Sequence, residues 1–373
     1  MEITIPRNDL MRLLQVTDSV VQKKTTMPIL SNVLLSASDG KLRVSASDLE
    51  VTAVSQAVAK VSKPGSTTVN GKILSEIVRE LPDTDLAIKL ADGERFVISS
   101  KNSQVKLNAV SADEYPSLPG INLDVSGRIS AAVFSEMLQR TLYAVSFDET
   151  RFNLNGICFE IAGKGKGNKN LRMVATDGHR LALISRPVSQ LEFQGSVIVP
   201  RKGLGELRKI LDDKGDGEIG IGIIEGFFII DSGDTKISMR LIEGQFPDYQ
   251  QVVPKGEGVK VTIPSSELAQ ALRRVALVVS DKSKAVRFDF SEHDLTLSSS
   301  SPELGEVKEQ VETDYKGKQL SIGFNARYLL DVINSFGNEE TLCMHLHGEL
   351  GPGVFSSERD DACMAIVMPM RLT

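Results

Sequence analysis

Residues 177–180 have the types and spacing that could support acid–base catalysis. Asp177 and His179 are separated by one glycine, and a carboxylate beside an imidazole can orient a general base. Asp-Gly is equally a strong signal for a hairpin turn, and no serine or cysteine motif of the nucleophile type accompanies the histidine. We therefore interpret the segment as a turn and expect no catalytic residue in it.

Two histidines and two acidic pairs are the candidates for a metal site. His345 and His347 lie two residues apart, which would place both on one strand face, but no third zinc ligand is suggested by the spacing. We therefore expect them at a solvent-exposed strand end. Asp212-Asp213 and Asp360-Asp361 are interpreted as loop residues. Polymerase and nuclease metal sites need carboxylates that converge from several strands, and the sequence alone neither establishes nor excludes such convergence.

Three glycines, Gly163, Gly165 and Gly167, give one segment the composition of a phosphate-binding loop. The pattern G-x-x-x-x-G-K-[S/T] is missing, however, and no helical pattern follows directly. The stretch 163–170 is therefore interpreted as a hairpin tip, and we expect neither a cofactor nor a metal ion.

The composition is that of a globular protein without a strong overall affinity for phosphate. Of the 373 residues, 41% are hydrophobic and 25% are charged, and the net charge is −6. Proteins that grip nucleic-acid phosphates tightly are usually basic, so contact with nucleic acid would need a local basic surface. Aromatic residues make up only 5%, which disfavours a broad platform for stacking bases.

We expect neither a signal peptide nor a membrane-spanning segment. The opening MEITIPRNDL lacks the apolar run of a signal peptide, and no apolar run elsewhere approaches about 18 residues. Cys158, Cys343 and Cys363 form no C-x-x-C pair, and their odd number suits a reducing compartment. We interpret them as small buried apolar residues and expect a cytoplasmic protein with no membrane partner.

A helical pattern recurs near the start of each third of the chain, each time after a short alternating run typical of a strand. Its apolar positions are Leu10, Leu13 and Leu14, then Phe134, Met137 and Leu138, then Leu268, Ala271 and Leu272. A second helical pattern recurs with basic, apolar and acidic positions in the same order. Together they predict helices over 7–18, 70–81, 131–142, 200–211, 265–276 and 325–336.

Alternating runs separated by turn signals such as Asp39-Gly40 lie between the helices and predict strands. Three repeats with two helices and many strands each indicate an α+β fold, with antiparallel sheets and the helices on one face of them. The joints are rich in glycine or proline, and the predicted domains are 1–122, 127–252 and 253–373.

Positive charge is concentrated in the six predicted helices. They contain twelve basic and eight acidic residues, a net of +4, so the rest of the chain has a net charge of −10. Solvated helix faces usually have charged residues. That does not explain why the net charge of the helices is positive while the net charge of the rest of the chain is negative. A shared positive face inside a negative body would attract a polyanion to the middle.

Several motifs resemble those of the bacterial DNA sliding clamps, the family of the DNA polymerase III beta subunit. They are the segment 175–182 (ATDGHRLA), 197–203 (VIVPRKG), 154–156 (LNG), 246–249 (FPDY), 27–32 (MPILSN) and the ending 367–372 (VMPMRL). They occur in order along the whole chain. The resemblance implies a non-catalytic subunit of three clamp domains that pairs head to tail with a second copy. The closed ring would have antiparallel sheets outside and helices around a central hole.

The resemblance also implies the partners. A homodimer would encircle double-stranded DNA without regard to sequence, and any ATP used to open the ring would belong to a separate clamp loader. The replicative polymerase, the loader and repair proteins would bind through short peptides in one apolar pocket. The pocket positions of the family match Leu154, Thr176, Gly178, His179, Arg180, Leu181, Pro247, Val252, Ile366, Met368, Pro369, Met370, Arg371 and Leu372.

Positions near DNA and at the subunit interface are carried over in the same way. The DNA candidates are Lys24, Lys72, Arg151, Phe152, Arg201 and Lys202, and the interface candidates are Val105 and Leu107 on one edge and Leu277 and Val278 on the other. The interface is expected to join the strand 104–108 to the segment 276–279. The sequence departs from the family at Gln251, often Arg, at Asn153, often aromatic, and at Val105, often Phe.

Two other functions stay open at this point. A metal-dependent nuclease or nucleotidyl transferase could be built on a repeated β-rich scaffold, and activity on DNA with Mg²⁺ or Mn²⁺ would identify it. A monomeric scaffold protein could use only the peptide groove, and its mass in solution would identify it.

Overall fold

The structure is a computed structural model that describes most of the chain. It covers residues 1–18, 20–21, 27–91, 95–162, 169–212, 215, 217–256, 258–279, 284–337 and 341–372, without the side chains of 206, 208–210 and 212. Lys24, the predicted tip at 163–168 and Asp213 lie outside the described residues.

Helices form where the apolar stripes of the sequence predict them, with bounds within one residue of the predicted windows. The nine apolar residues of the first helical pattern are each at most 1% exposed, because that face of every helix packs into a core. The helices are α1 (Arg7–Asp18), α2 (Gly71–Glu80), α3 (Ala131–Thr141), α4 (Arg201–Asp212), α5 (Ser265–Ala276) and α6 (Ala326–Phe336).

Asparagine side chains define where two helices begin. The Asn70 side chain accepts a hydrogen bond from the Ile73 amide at the start of α2, and the Asn325 side chain accepts one from the Arg327 amide at the start of α6, both at 3.0 Å. Each bond satisfies one of the amides that the first turn of a helix leaves without an intrahelical partner.

The contacts divide the chain into two compact units, and the first consists of Met1–Ser135, Val188–Phe193 and Lys202–Leu241. It contains one sheet of thirteen strands, in the order β10-β15-β16-β17-β4-β3-β2-β6-β9-β8-β7-β1-β5. Its strands are β1 (Glu2–Pro6), β2 (Asn32–Ser38), β3 (Lys41–Ser47), β4 (Val51–Val58), β5 (Lys60–Lys63), β6 (Gly65–Asn70), β7 (Asp85–Ala91), β8 (Arg95–Ser100), β9 (Ser103–Val110), β10 (Gly127–Ser130), β15 (Glu218–Ile224), β16 (Phe227–Asp231) and β17 (Thr235–Arg240).

The second unit consists of Glu136–Pro187, Gln194–Arg201 and Ile242–Thr373. It contains an eight-stranded sheet, β14-β11-β12-β13-β25-β24-β23-β18, and a four-stranded sheet, β21-β20-β19-β22. Its strands are β11 (Gly156–Ala162), β12 (Asn170–Thr176), β13 (Arg180–Pro187), β14 (Ser196–Pro200), β18 (Val259–Pro264), β19 (Ala285–Ser291), β20 (Asp294–Ser301), β21 (Gly305–Glu312), β22 (Leu320–Asn325), β23 (Thr341–Leu346), β24 (Gly353–Ser357) and β25 (Asp360–Val367).

The order of elements repeats three times along the chain. Each third runs strand, helix, four strands, helix and three strands, with β5 as one additional strand in the first third. All strand pairs among the described residues are antiparallel, which confirms the predicted fold class. The two compact units do not follow the thirds, because β17 pairs with β4 and β25 pairs with β13, so each large sheet joins strands of successive repeats.

Local turns and buried thiols also follow the sequence. Asp39 and Gly40 join β2 and β3 with φ values of 49° and 72°, the left-handed backbone of a tight hairpin. The three cysteines are free and buried, as predicted, and burial raises the pKa of the Cys158 thiol to about 12. No helix in the described part of the chain is long and apolar enough to cross a membrane.

Arg186 on β13 is the centre of an ion-pair network inside the second unit. Its guanidinium lies 2.8 Å from Glu136 on α3 and 2.5 Å from Asp360. Asp360 and Asp361 are therefore not loop residues as predicted: they begin β25, where the Asp360 carboxylate accepts a hydrogen bond from the Ala362 amide. Burial alone would raise the pKa of Asp360, but the hydrogen bonds and charge of Arg186 outweigh it and hold that pKa below its usual value.

We expect Arg186→Met to lower the free energy of unfolding by about 2–4 kcal/mol at pH 7, because two partly buried carboxylates lose their shared cation. Since the folded pKa of Asp360 is depressed, its contribution is complete at neutral pH and is lost as the pH falls through that pKa. The difference from wild type should therefore shrink below about pH 4. Urea unfolding at several pH values measures it.

Arg287→Met is the matched control, because the Arg287–Asp289 pair is much more exposed and should contribute less than about 1 kcal/mol. Equal losses in the two variants at neutral pH would show that the Arg186 network does not hold the second unit together.

Candidate functional site

The segment between β12 and β13 is a tight turn, as the sequence predicts. Gly178 has a φ of +89°, and the Asp177 carboxylate accepts hydrogen bonds from the amides of His179 at 2.9 Å and Arg180 at 3.0 Å. The Thr176 hydroxyl donates to the Arg180 carbonyl at 2.6 Å. The carboxylate binds backbone amides and a guanidinium, so it does not form the Asp–His pair of a catalytic site.

The guanidinium of Arg180 fixes this turn against α6. It donates to Asp177 at 3.0 Å and to Asp331 at 2.6 Å, and its central carbon lies 4.4 Å from the centre of the Tyr328 ring. Only 8% of Arg180 is exposed. Because all of these partners are internal, the Arg180 side chain braces the turn and does not form an open cationic surface.

An apolar floor lies beside the turn, where β13 pairs with β25. Leu181 is in register with Ile366, and the Met368 amide donates to the His179 carbonyl at 2.9 Å. Leu181 and Ile366 belong to a buried cluster with Tyr249, and five partly buried residues pack against it: Leu183, Phe246, Val253, Val354 and Met364. The turn, the ends of both strands and the segment 246–253 therefore meet at one place.

The rim of this floor is apolar and open to solvent. Val252 is 41% exposed and Met368 is 38% exposed, and Pro247 is also exposed. Gln251, at the position where the family often has Arg, donates to Asp248 at 3.0 Å. We name the surface formed by Leu181, Pro247, Val252, Ile366 and Met368 the apolar groove.

The remaining pocket candidates are Leu154 and the tail at 369–372. Leu154 is buried, and its carbonyl accepts a hydrogen bond from the Ser146 amide. Pro369, Met370, Arg371 and Leu372 continue from β25 along β22, where the Met370 amide donates to the Gly323 carbonyl at 2.8 Å. A Cβ on Gly323 would come within 2.9 Å of Leu372, so a side chain there would displace the tail.

The DNA candidates of the second unit lie in or beside the segment 146–154. Phe152 belongs to this segment, and Arg201 contacts it. Phe152 is 57% exposed, and the Arg201 guanidinium lies over the ring of Phe147, 3.4 Å from its centre. Arg151 pairs with Asp148 at 2.9 Å, and hydrogen bonds from Thr150 lower the pKa of that carboxyl.

Two DNA candidates lie in the first unit, and both have acidic partners. Lys72 is exposed on α2 and lies 3.7 Å from Glu76, a weak surface pair that leaves the ammonium accessible. Lys202 is bonded to Asp48, whose carboxylate also accepts hydrogen bonds from the amides of Glu50 and Val51. Lys202 is therefore occupied by a buried partner, and Lys24 lies outside the described residues.

The interface candidates fall on one strand and one helix end. Val105 and Leu107 are half-buried on β9, which pairs with β8 along this stretch and reaches β6 only at Ala109 and Val110. The segment 276–279 lies at the end of α5: the helix ends at Ala276, and a turn follows. Within the described residues β21 pairs only with β20, and it is one of three strands of the third repeat that end a sheet, with β18 and β22.

His345 and His347 do not lie at an exposed strand end, in contrast to the prediction. His345 is the penultimate residue of β23 and His347 directly follows the strand, and both are half-buried beside a cavity of about 320 Å³. Burial and the neighbouring His345 lower the pKa of His347. No group of three possible metal ligands occurs among the described residues.

Sequence reasoning missed Tyr328 and Asp331, the two α6 residues that hold Arg180. Asp331 was recognised only as the acidic position of the second helical repeat, and a helix-face pattern does not reveal a partner 151 residues away. Tyr249 was also missed as a floor residue, although its position within the FPDY motif could have indicated it.

Comparison with known proteins agrees with this arrangement. The family models of the DNA polymerase III beta subunit match the N-terminal domain at residues 1–119, the central domain at 128–248 and the C-terminal domain at 250–371. The beta sliding clamp of Escherichia coli K12 is 34% identical over 378 residues, and that of Caulobacter vibrioides is 33% identical over 376, each covering all of both chains.

Solved structures show the same fold. A crystal structure of the Caulobacter crescentus beta sliding clamp has a TM-score of 0.92 and 33% identity, covering 100% of this chain and 99% of that one. A Bartonella birtlesii sliding clamp bound to griselimycin also has a TM-score of 0.92, with 32% identity over the whole of both chains.

These similarities define the class as a DNA clamp of three repeated domains. The chain belongs to the DNA polymerase III beta subunit family, the bacterial sliding clamps. Its function is that of a processivity factor in DNA replication, without catalysis of its own. The alternative of a metal-dependent nuclease or nucleotidyl transferase has no support among the relatives.

Proposed function

We propose that two copies of this chain close head to tail into a ring around duplex DNA, and that the apolar groove holds short peptides of DNA-processing proteins. The observation on which the proposal depends is the matching burial pattern of two incompletely paired strands, β9 over residues 103–108 and β21, in a chain that supplies three repeats. The proposed domain bounds are 1–122, 127–252 and 253–373.

The two open edges match each other in pattern. Both strands have eight residues, with half-buried positions alternating with exposed ones and one buried residue near the end, Ala109 in β9 and Val311 in β21. An edge with alternating apolar residues favours pairing with another strand. Antiparallel pairing of β9 with β21 of a second copy, repeated twice, would close a ring of two subunits.

Apolar contacts should stabilise this interface more than charge does. Leu277 is 76% exposed at the end of α5, so its side chain is available for apolar contact with a second copy. Lys106 on β9 and Glu306 on β21 have opposite charges, but exposed ion pairs contribute only about 0–1 kcal/mol each. Glu309 already binds Arg274 at 2.8 Å in its own subunit.

Encirclement agrees with the modest positive charge of the helices. A ring retains DNA by its topology, so it needs few tight phosphate contacts, and sparse contacts let it slide along any sequence. Lys24, Lys72, Arg151, Phe152 and Arg201 are proposed to face the duplex. Lys202 is proposed only as a secondary contact, since Asp48 holds its ammonium.

The groove is suited to a peptide with apolar anchors and few charges. Its floor is buried and its rim has Val252 and Met368, and methionine side chains adapt to different partners. We propose that the replicative polymerase, the clamp loader and repair proteins compete for it, each through a segment with a glutamine and apolar or aromatic anchors. Free buried cysteines agree with the proposed cytoplasmic location.

Peptide binding should depend on the open rim. Met368→Glu combined with Val252→Glu is expected to weaken binding of a peptide with Gln, Leu and Phe at least tenfold, because burial of each apolar side chain contributes about 1.5–3 kcal/mol. Both positions are partly exposed, so the thermal unfolding temperature should change little. Fluorescence anisotropy with a labelled peptide measures the affinity.

Val58→Glu is the control, since Val58 is 76% exposed in the first unit and has no part in the groove. It should leave peptide affinity unchanged. Wild-type affinity in the Met368→Glu/Val252→Glu variant would refute the assignment of the groove.

Ring closure should depend on the apolar residues at the two edges. Leu277→Asp, alone or with Leu107→Asp, is expected to give a folded monomer that still binds the groove peptide, because each substitution removes apolar burial from both interfaces. Analytical ultracentrifugation measures the mass, and circular dichroism checks the fold. Val58→Asp should remain dimeric, whereas a Leu277→Asp/Leu107→Asp protein of unchanged dimer mass would show that the interface lies elsewhere.

A further inference from the structure

A hollow in the second unit lies beside the apolar groove and has no role in the function proposed above. Its volume is about 590 Å³, which falls within the usual range for sites that bind small molecules or several side chains. Phe147, Ala276 and Val279 form apolar parts of its wall, and Lys284 and Arg327 bring two cations to it.

The hollow and the groove adjoin the same turn at 177–180. Asp177 and Arg180, which shape that turn, line the hollow, and Leu181 of the groove floor follows Arg180 directly in the chain. Tyr328 also lines the hollow, and its ring stacks with His179 of the turn at 6.4 Å between ring centres. We therefore expect residues that flank anchors bound in the groove to lie near the hollow.

The free charge in the hollow is positive. Lys284 and Arg327 are exposed, and neither forms an ion pair within the part of the chain that the structure describes. Among the described residues of the lining, Asp177 is the acidic one, and its carboxylate already accepts hydrogen bonds from two amides and from Arg180. The negative charge is thus compensated internally, whereas the two cations are available to a ligand.

The aromatic wall adds to this preference. Phe147 is 71% exposed, and the Arg201 guanidinium lies 3.4 Å from the centre of its ring. A third cation therefore lies next to the apolar wall, where the methylene groups of an acidic side chain can pack while its carboxylate meets the cations.

We propose that this hollow binds acidic residues that flank the apolar anchors of a partner peptide. The inference rests on the proposed groove and extends it: the groove binds the anchors, and the hollow distinguishes partners by the charge of the neighbouring residues. A partner with an acidic flank binds more tightly and is more sensitive to salt than one with a neutral flank.

Matched peptides and variants of the full-length protein test the proposal. One peptide is a core with Gln, Leu and Phe, and four others extend it at either end with three glutamates or three glutamines. Fluorescence anisotropy is measured for wild type, for Lys284→Glu/Arg327→Glu and for the control Lys316→Glu/Lys318→Glu, which makes the same change of charge outside the hollow. At low salt one glutamate peptide should bind wild type about tenfold more tightly than its glutamine counterpart.

That advantage should disappear in Lys284→Glu/Arg327→Glu, persist in the control and decline at high salt, while the unextended core binds all three proteins equally. Equal affinity of the glutamate and glutamine peptides for wild type, or an advantage that survives in Lys284→Glu/Arg327→Glu, overturns the proposal. A single-stranded DNA decamer is measured in parallel. If the decamer binds wild type but not Lys284→Glu/Arg327→Glu, and the glutamate peptides have no advantage, the proposal is also overturned, because the hollow would then bind nucleic acid. Failure of the core peptide to bind wild type instead overturns the groove itself.

Discussion

An open strand edge is the constraint on which the rest of this structure depends. Residues 103–108 of β9 and the whole of β21 have backbone donors and acceptors that pair on one side only, within the described residues. Each strand also has apolar side chains that its own sheet covers incompletely: Val105 and Leu107 in β9, and Val307 in β21. Such edges invite association. With three repeats per chain, closing both edges against a second copy gives a ring, and a ring explains how a protein of net charge −6 can retain DNA.

A second constraint concerns the apolar groove, whose residues must be held in a fixed geometry. Its floor is formed by Leu181 and Ile366 on paired strands, so the β13–β25 ladder sets their positions. Arg180 adds rigidity by joining the turn to α6 through Asp331 and Tyr328. A buried guanidinium with two carboxylate partners is costly to desolvate, and its benefit here is a fixed geometry between two elements distant in sequence. The same bracing shapes the neighbouring hollow.

The repeats and helices of this fold could be predicted because apolar residues at helical spacing are a local signal. Leu10, Phe134 and Leu268 mark the same place in each third, and all three are buried. The conformation of 276–279 could not be predicted, because its apolar composition suits either a strand or the end of a helix. The structure places it at the end of α5, and the sheet pairing shows β21 at the end of its sheet.

Side-chain contacts between residues that are distant in sequence could not be predicted either. Arg180 was expected in the pocket, yet its bond to Asp331 depends on how α6 lies against β13. Asp360 was taken for a loop residue because acidic pairs favour loops, but Arg186 compensates its charge and lets β25 begin there. Lys202 was expected to be available to DNA until the structure showed its bond to Asp48.

Retention on circular DNA tests the central claim of encirclement most directly. The protein is assembled by a clamp loader onto nicked circular duplex DNA, washed at high salt, and measured again after one cut linearises the circle. Topological retention predicts that the protein stays on the circle at salt that removes ordinary binders and leaves once a free end exists. Equal retention on circular and linear DNA, or complete loss from the intact circle at high salt, would contradict the account.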